Sequence, residues 1–216
     1  MRIGVFGTGT VGSTIGGRLV ELGHEVRMGS RTAHNDAATT WAAAAGELAS
    51  NGTFAEAAAF GELLVNATVG AGSVEAIGTA DPADLEGKVL LDISNPLDFS
   101  AGFPPTLSIK DTDSLAETIQ RTFPGLRVVK SLNTMTADVM VHPSRLGAAH
   151  DVFLSGDDAD AKAAVAELLR GFAWPQSDIV DLGDLSTARG VEMYLPLWLR
   201  ITGAIGTPIF NIKVVR

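Results

Sequence analysis

An α/β fold with a doubly wound, mostly parallel sheet is what this 216-residue sequence predicts. Strand-like apolar runs alternate with helix-periodic segments along the whole chain. The first run, residues 3–6, passes through a glycine-rich turn, Gly7-Thr8-Gly9-Thr10-Val11-Gly12, into a segment with Val11, Ile15, Leu19 and Leu22 at helical spacing. A second strand pattern follows at the distance expected of a βαβ unit. There is no internal repeat and no low-complexity linker.

The elements follow in order. Residues 2–6 read as a strand and 10–22 as a helix, with Gly23 just past its end where a left-handed cap is wanted. Residues 25–28 form the second strand, and 36–50 an alanine-rich helix around Trp41 and Leu48. A short strand near Thr53 and a short helix over 55–60 come next. Residues 62–68 are a strand ending in the turn Val69-Gly70-Ala71-Gly72, and a helix runs from Ser73 to about Ala80. Residues 88–93 are a strand that Ser94-Asn95-Pro96 ends, and 99–113, with Pro104-Pro105, is the longest irregular loop. A helix over 114–123 takes Asp113 or Ser114 as its cap. Residues 127–132 are a strand, from which Asn133-Thr134 leads into a short helix through Val141. His142-Pro143 is the boundary candidate, giving a dinucleotide-binding domain over 1–143 and a small C-terminal α/β extension over 144–216. In that extension 151–155 and 179–181 read as strands, 159–171 as a helix, and a long helix starts near Ala188.

Composition bounds the function. Net charge is −9 with scattered basic residues, so no basic face is offered to nucleic acid. With no cysteine, disulfides, thiolate catalysis and cysteine-ligated metals are excluded. Neither His142 nor His150 has a partner at metal-ligand spacing, and no metal is expected. Residues 191–215 carry only Glu192, Arg200 and Lys213 as charges, but Pro196, Arg200, Gly203, Gly206 and Pro208 interrupt the run. A buried or interfacial helix and an apolar tail are expected there, not a membrane span. The start of the chain enters a strand directly, and a soluble cytoplasmic protein is expected.

The glycine-rich turn points to a dinucleotide. Gly7 makes the tight turn, Gly9 lets the backbone approach a pyrophosphate, and Gly12 with Gly16 lets the helix lie close on the sheet. The helix start then turns free N–H groups and its positive dipole to the phosphates. Thr8 and Thr10 add hydroxyl contacts, or serve turn formation and helix capping. An acidic residue at the tip of the second strand would take a free ribose 2′-hydroxyl. This strand ends Met28-Gly29-Ser30-Arg31-Thr32, where Ser30 can donate a hydrogen bond and Arg31 can clamp a phosphate, so NADP(H) is expected over NAD(H).

Other strand ends offer Asn66-Ala67-Thr68-Val69, Asp92-Ile93-Ser94-Asn95-Pro96 and Lys130-Ser131-Leu132-Asn133-Thr134-Met135. These mostly small, neutral sets suit a nicotinamide carboxamide and a planar acceptor. The tyrosine–lysine pair of short-chain dehydrogenases is absent, because Trp198 stands four residues after Tyr194. The C-terminal helix carries Arg189 and Arg200 but no lysine, and Lys130 reads as a sheet-end lysine rather than a base. Hydride transfer between two redox rings needs mainly aligned rings in a dry cleft, which fits a site without an acid or base.

Residues 3–12, Gly23-His24-Glu25-Val26, Gly29-Ser30-Arg31, residues 128–134, Ser155-Gly156-Asp157-Asp158 and Phe210-Asn211-Ile212-Lys213 resemble the coenzyme F420-dependent NADP oxidoreductase family over nearly the whole chain. The resemblance implies a Rossmann domain, a small C-terminal domain that closes the cleft, hydride exchange between NADP(H) and the deazaflavin coenzyme F420, and a homodimer. It implies phosphate contacts from Thr8, Gly9, Thr10 and Val11, and 2′-phosphate contacts from Ser30 and Arg31. It puts the nicotinamide near Ala67, Thr68 and Val69 and the deazaflavin near Asn133, Thr134 and Met135. The sequence departs from the family pattern at His34-Asn35-Asp36, where a lysine is usual, and at Asn133, where a histidine is usual. A flavin is therefore a further acceptor candidate. The alternatives are reduction of a small carbonyl or imine, with Thr68, Ser131, Thr134 or water as proton donor, and non-catalytic NADP(H) binding. Asn133 either orients a ring carbonyl or caps the helix that follows.

Overall fold

The computed structural model describes residues 1–215. In the first half β1 (Arg2–Phe6), α1 (Thr10–Glu21), β2 (Glu25–Ser30), α2 (Asp36–Ala45), β3 (Ala49–Thr53), α3 (Phe54–Phe60), β4 (Leu63–Asn66) and α4 (Ser73–Ile77) alternate. Then come β5 (Val89–Asp92), the short strands β6 (Leu97–Asp98) and β7 (Thr106–Leu107), α5 (Leu115–Thr122), β8 (Arg127–Ser131) and α6 (Ala137–Val141). The chain ends with β9 (Val152–Ser155), α7 (Ala159–Gly171), β10 (Ile179–Asp181), α8 (Ala188–Met193) and α9 (Leu195–Ile205).

Eight strands form one sheet in the order β10-β9-β8-β5-β4-β1-β2-β3. The chain starts at β1 and winds outward in both directions, which puts the topological switch point between β1 and β4. Alternate residues of the central strands face opposite layers. Ile3, Val5, Leu63, Val65, Val89, Leu91 and Val129 pack under α1, α6 and α7, whereas Phe6, Leu64, Leu90 and Val128 pack with α3, α4 and α5. Strands buried on both faces explain the near-continuous apolar runs.

Three expectations need correction, while the mostly parallel sheet is found with one antiparallel pair. The helix expected over 36–50 ends at Ala45, and Ala49–Thr53 is an edge strand paired in parallel with β2. Alanine composition extended the expected helix, but Gly46 leaves it at φ 100°, a conformation that breaks a helix. β9 runs antiparallel to β8, with Lys130 opposite Ser155. The loop over 99–113 contains β7, which pairs with β6. The helix near Ala188 is divided at Tyr194 into α8 and α9; Pro196 in the first turn of α9 has no N–H for the Glu192 carbonyl four residues before it. Beyond Pro143, β9 and β10 continue the same sheet. Among the described residues no helix is long and apolar enough to cross a membrane.

Candidate active site

Parallel strands bring their carboxyl ends to one side. Phe6 pairs with Asn66, Asn66 with Asp92 and Asp92 with Lys130, so these residues stand in one row across the sheet. The glycine-rich turn leaves the row at Phe6. Gly7 has φ +115°, and a Cβ there would lie 2.5 Å from the Ala67 carbonyl oxygen. At Gly12 a Cβ would lie 2.0 Å from the Gly7 oxygen, so this glycine closes the turn on itself. A Cβ at Gly16 would meet the Trp41 ring at 2.8 Å. Gly16 thus makes room for Trp41 of α2, whose indole donates to the Ser13 carbonyl, and not for close helix–sheet packing as expected.

Gly9 differs from its neighbours, since nothing lies within 4 Å of where its Cβ would be. It is the N-cap of α1, makes no side-chain cap bond and has no acidic residue in the turn that follows. The first turn of α1 therefore has neither a side-chain cap nor an acidic residue to offset the positive end of its dipole. An uncapped helix start of this kind suits an anionic phosphate group.

β2 ends beside the turn, with the Gly7 N–H donating to the Gly29 carbonyl. Ser30 is buried, and its hydroxyl donates to Thr32 O at 2.5 Å. Arg31 is exposed and makes no hydrogen bond or ion pair among the described residues. From β2 to β8 is four strand steps, about 19 Å at the usual spacing. An extended dinucleotide spans such a length.

Ala67 and Thr68 are half-buried and Val69 is exposed beyond β4. The Thr68 hydroxyl lies 2.7 Å from Asn66 Oδ1 and 2.8 Å from Ser73 Oγ, in a network of strand-end side chains. Asn95 and Asn133 meet across β5 and β8. Asn95 donates to the Asn133 carbonyl at 3.0 Å, and Asn133 Nδ2 donates to Asn95 Oδ1 at 2.9 Å and to the Val191 carbonyl of α8 at 3.0 Å. Asn133 therefore does not cap α6, whose N-cap is Thr136. Both its N–H groups are engaged, leaving the buried Oδ1 without a partner. The free atom can only accept a hydrogen bond, so it suits an N–H donor and not the ring carbonyl that was expected.

A charged cluster, which sequence reading had placed among neutral residues, underlies this surface. Lys130 Nζ lies 2.8 Å from Asp92 Oδ2 and 2.8 Å from Glu192 Oε1, and all three side chains are at most 1% exposed. Burial drives the Lys130 ammonium down, but the two carboxylates outweigh it and hold its pKa above the ordinary lysine value. Asp92 Oδ1 also accepts from Asn66 and from the Ser94 hydroxyl. Glu192 accepts the Leu115 and Ala116 N–H groups at the start of α5. Arg189 and Glu117 form a second link between α8 and α5. Lys130 is thus shared by two carboxylates, whose remaining partners are neutral donors of the fold. Lys130 sits at the sheet end, as expected, with an ion-pairing role.

Residues 2–96 match the model of a family described as NADP oxidoreductase, coenzyme F420-dependent. A crystal structure of a protein from Arthrobacter sp. FB24, described provisionally as an F420-dependent NADP-reductase, is 51% identical, covers 100% of both chains and has a TM-score of 0.94. The metalloreductase STEAP3 of Rattus norvegicus is 29% identical over 201 residues, 91% of this chain; the chain spans 38% of the length of that curated relative. A reductive aminase from Aspergillus terreus, solved with NADPH and ethyl-5-oxohexanoate, shares the fold at a TM-score of 0.66 and 21% identity, over 95% of this chain and 62% of that one.

Proposed function

The chain belongs to the coenzyme F420-dependent NADP oxidoreductase family and is an NADP-dependent oxidoreductase; from that premise we propose that its acceptor is a planar redox ring, coenzyme F420 or a flavin, stacked over the nicotinamide. NADPH held along the strand ends supplies the hydride, and the acceptor ring takes its remaining proton from water. The observation that carries this reading is the state of the charged groups beneath the cleft. Asp92, Lys130 and Glu192 are buried and paired with one another, so none is offered as an acid or base. Ring-to-ring transfer asks only for alignment and exclusion of water. The segment over 144–216 supplies α8 and α9 as the wall against which the acceptor is held. NADPH oxidation assayed against coenzyme F420, FMN, FAD and a panel of carbonyls and imines tests the reading. Reduction of carbonyls or imines with no ring reduced would contradict it.

One observation favours a second reading, reduction of a carbonyl or imine. The Tyr194 hydroxyl is buried without a partner, and burial pushes its pKa up, which keeps it protonated. In that reading Tyr194 is the proton donor, and Tyr194→Phe abolishes turnover of the carbonyl while leaving NADPH affinity intact.

Selectivity for NADP(H) over NAD(H) follows from Arg31. A charge-assisted contact to the 2′-phosphate contributes about 1.5–3 kcal/mol, roughly ten- to hundredfold. Arg31→Ala is expected to remove that preference, with NAD(H) affinity unchanged. Titration of both cofactors against both proteins measures it, and equal wild-type affinities would overturn the assignment. Since the Ser30 hydroxyl donates to Thr32 O, Arg31 carries most of the preference, with Ser30 as a second donor once it turns from that carbonyl.

A homodimer completes the reading. Leu197 and Ile205 of α9 are 55% and 53% exposed on one face of an apolar helix, the kind of surface that a second copy covers. Light scattering at micromolar concentration is expected to give twice the monomer mass; the monomer mass would refute it. A cytoplasmic location goes with this reading.

A further inference from the structure

Five buried side-chain polar atoms among the described residues have no hydrogen-bond partner, and four of them are Asn133 Oδ1, Tyr194 Oη, Trp198 Nε1 and Asn211 Oδ1. These four lie on neighbouring segments tied by three contacts, their residues otherwise linked along the chain. Asn133 donates to the Val191 carbonyl, one turn of helix before Tyr194. Tyr194 and Trp198 stand four residues apart and share a helix face. Trp198 stacks on Phe210 with ring centroids 5.6 Å apart. Asn211, next in the chain, approaches Met135 Sδ at 3.9 Å, and Met135 lies two residues after Asn133. Buried polar atoms left without partners are uncommon in folded proteins and ask for an explanation. Four on neighbouring segments suit one ligand of mixed polarity.

The set is chemically mixed. Tyr194 O–H and Trp198 Nε1–H donate, whereas Asn133 Oδ1 and Asn211 Oδ1 accept. The amide orientations are fixed by the structure, since Asn133 Nδ2 faces two acceptors and Asn211 Nδ2 donates to the Asp151 carbonyl at 2.8 Å. We propose that Asn133, Tyr194, Trp198 and Asn211 form the polar cradle of the acceptor, a planar heterocycle whose edge carries both carbonyl and N–H groups. This deepens the ring-acceptor reading and rests on it. The tyrosine and tryptophan donors meet ring carbonyls, and the asparagine oxygens meet the imide-type N–H. Seating the ring requires these side chains to part, so the cradle opens as the acceptor enters.

The test uses effects of opposite sign. In the protein without acceptor, the Tyr194 hydroxyl is desolvated and unbonded, so Tyr194→Phe is expected to leave the unfolding temperature unchanged or raise it. The same variant is expected to weaken riboflavin binding, measured by ring fluorescence with NADP+ present, roughly tenfold. Trp198→Phe, which keeps the stack on Phe210, is expected to do the same. Wild-type protein is expected to bind N3-methylriboflavin about tenfold more weakly than riboflavin, because methylation removes the imide N–H. A lowered unfolding temperature with unchanged riboflavin affinity would mean that the hydroxyl is satisfied within the fold, and would overturn the proposal. A change in sedimentation without a change in binding would assign these atoms to contact with a second copy and overturn it too. Reduction of riboflavin by wild type with no discrimination against the N3-methyl form would bring down the cradle alone. Failure to reduce or bind coenzyme F420 and every flavin would bring down the ring-acceptor reading, and the cradle with it.

Discussion

Replacing Lys130 by Met is expected to cost the fold about 3–5 kcal/mol, the usual penalty for removing one partner of a buried ion pair. The side chain keeps its length and most of its apolar stem, so packing loss is a minor part. The cost comes from Asp92 and Glu192, each 2.8 Å from the ammonium and at most 1% exposed. Without Lys130 two carboxylates share a water-free site. Their remaining donors, Asn66 and Ser94 for Asp92 and the Leu115 and Ala116 N–H groups for Glu192, soften the penalty without cancelling it. Urea denaturation is expected to give a lower midpoint at an unchanged slope. The double variant Lys130→Met, Glu192→Gln is expected to recover part of the loss, because one carboxylate charge goes with the ammonium. A loss below about 1 kcal/mol would mean that solvent reaches the cluster.

The same cluster sets a pH dependence. The folded pKa of Lys130 lies above its unfolded value, which is near 10.4. The pair's stabilisation is therefore complete below about pH 10 and is lost as pH rises through the folded value. In Lys130→Met this part of the alkaline loss of stability is expected to be absent.

Much of the architecture is legible in the sequence because it is local. The helix from Ala159 to Gly171, the strand from Ile179 to Asp181 and the Ser114 cap are found where their patterns put them. The glycine-rich turn is legible for the same reason, since its φ requirement and close approaches involve neighbours within a few residues. What escaped was set by packing. Lys130 is 38 residues from Asp92, and nothing in either segment says that the two side chains face each other in one row of the sheet. Glu192 arrives from α8, an element whose position depends on the sheet continuing through an antiparallel β9. The signal available was charge: three ionisable residues on apolar segments need partners when buried. Asn133 was legible as a strand-end residue, but which of its two polar atoms stays free depends on Asn95 and Val191.

The central claim is that NADP(H) lays its pyrophosphate on the start of α1, and Gly9→Asp tests it most directly. Gly9 has φ −76° and ψ −177°, an extended conformation that Asp adopts readily at an N-cap. Nothing within 4 Å opposes a side chain there. A carboxylate at this position caps N–H groups of the first turn and complements the helix dipole, so the stability is expected to rise by a few tenths to about 1 kcal/mol, with a higher unfolding midpoint. The same carboxylate occupies the anion site. Two like charges about 4 Å apart repel by about 4 kcal/mol at an effective dielectric of 20, roughly a thousandfold in affinity. The measurement is the dissociation constant of NADPH for Gly9→Asp, taken beside its unfolding midpoint. A stabilised protein that has lost NADPH binding is the predicted result; a stabilised protein that binds NADPH as tightly as the wild type would contradict the account.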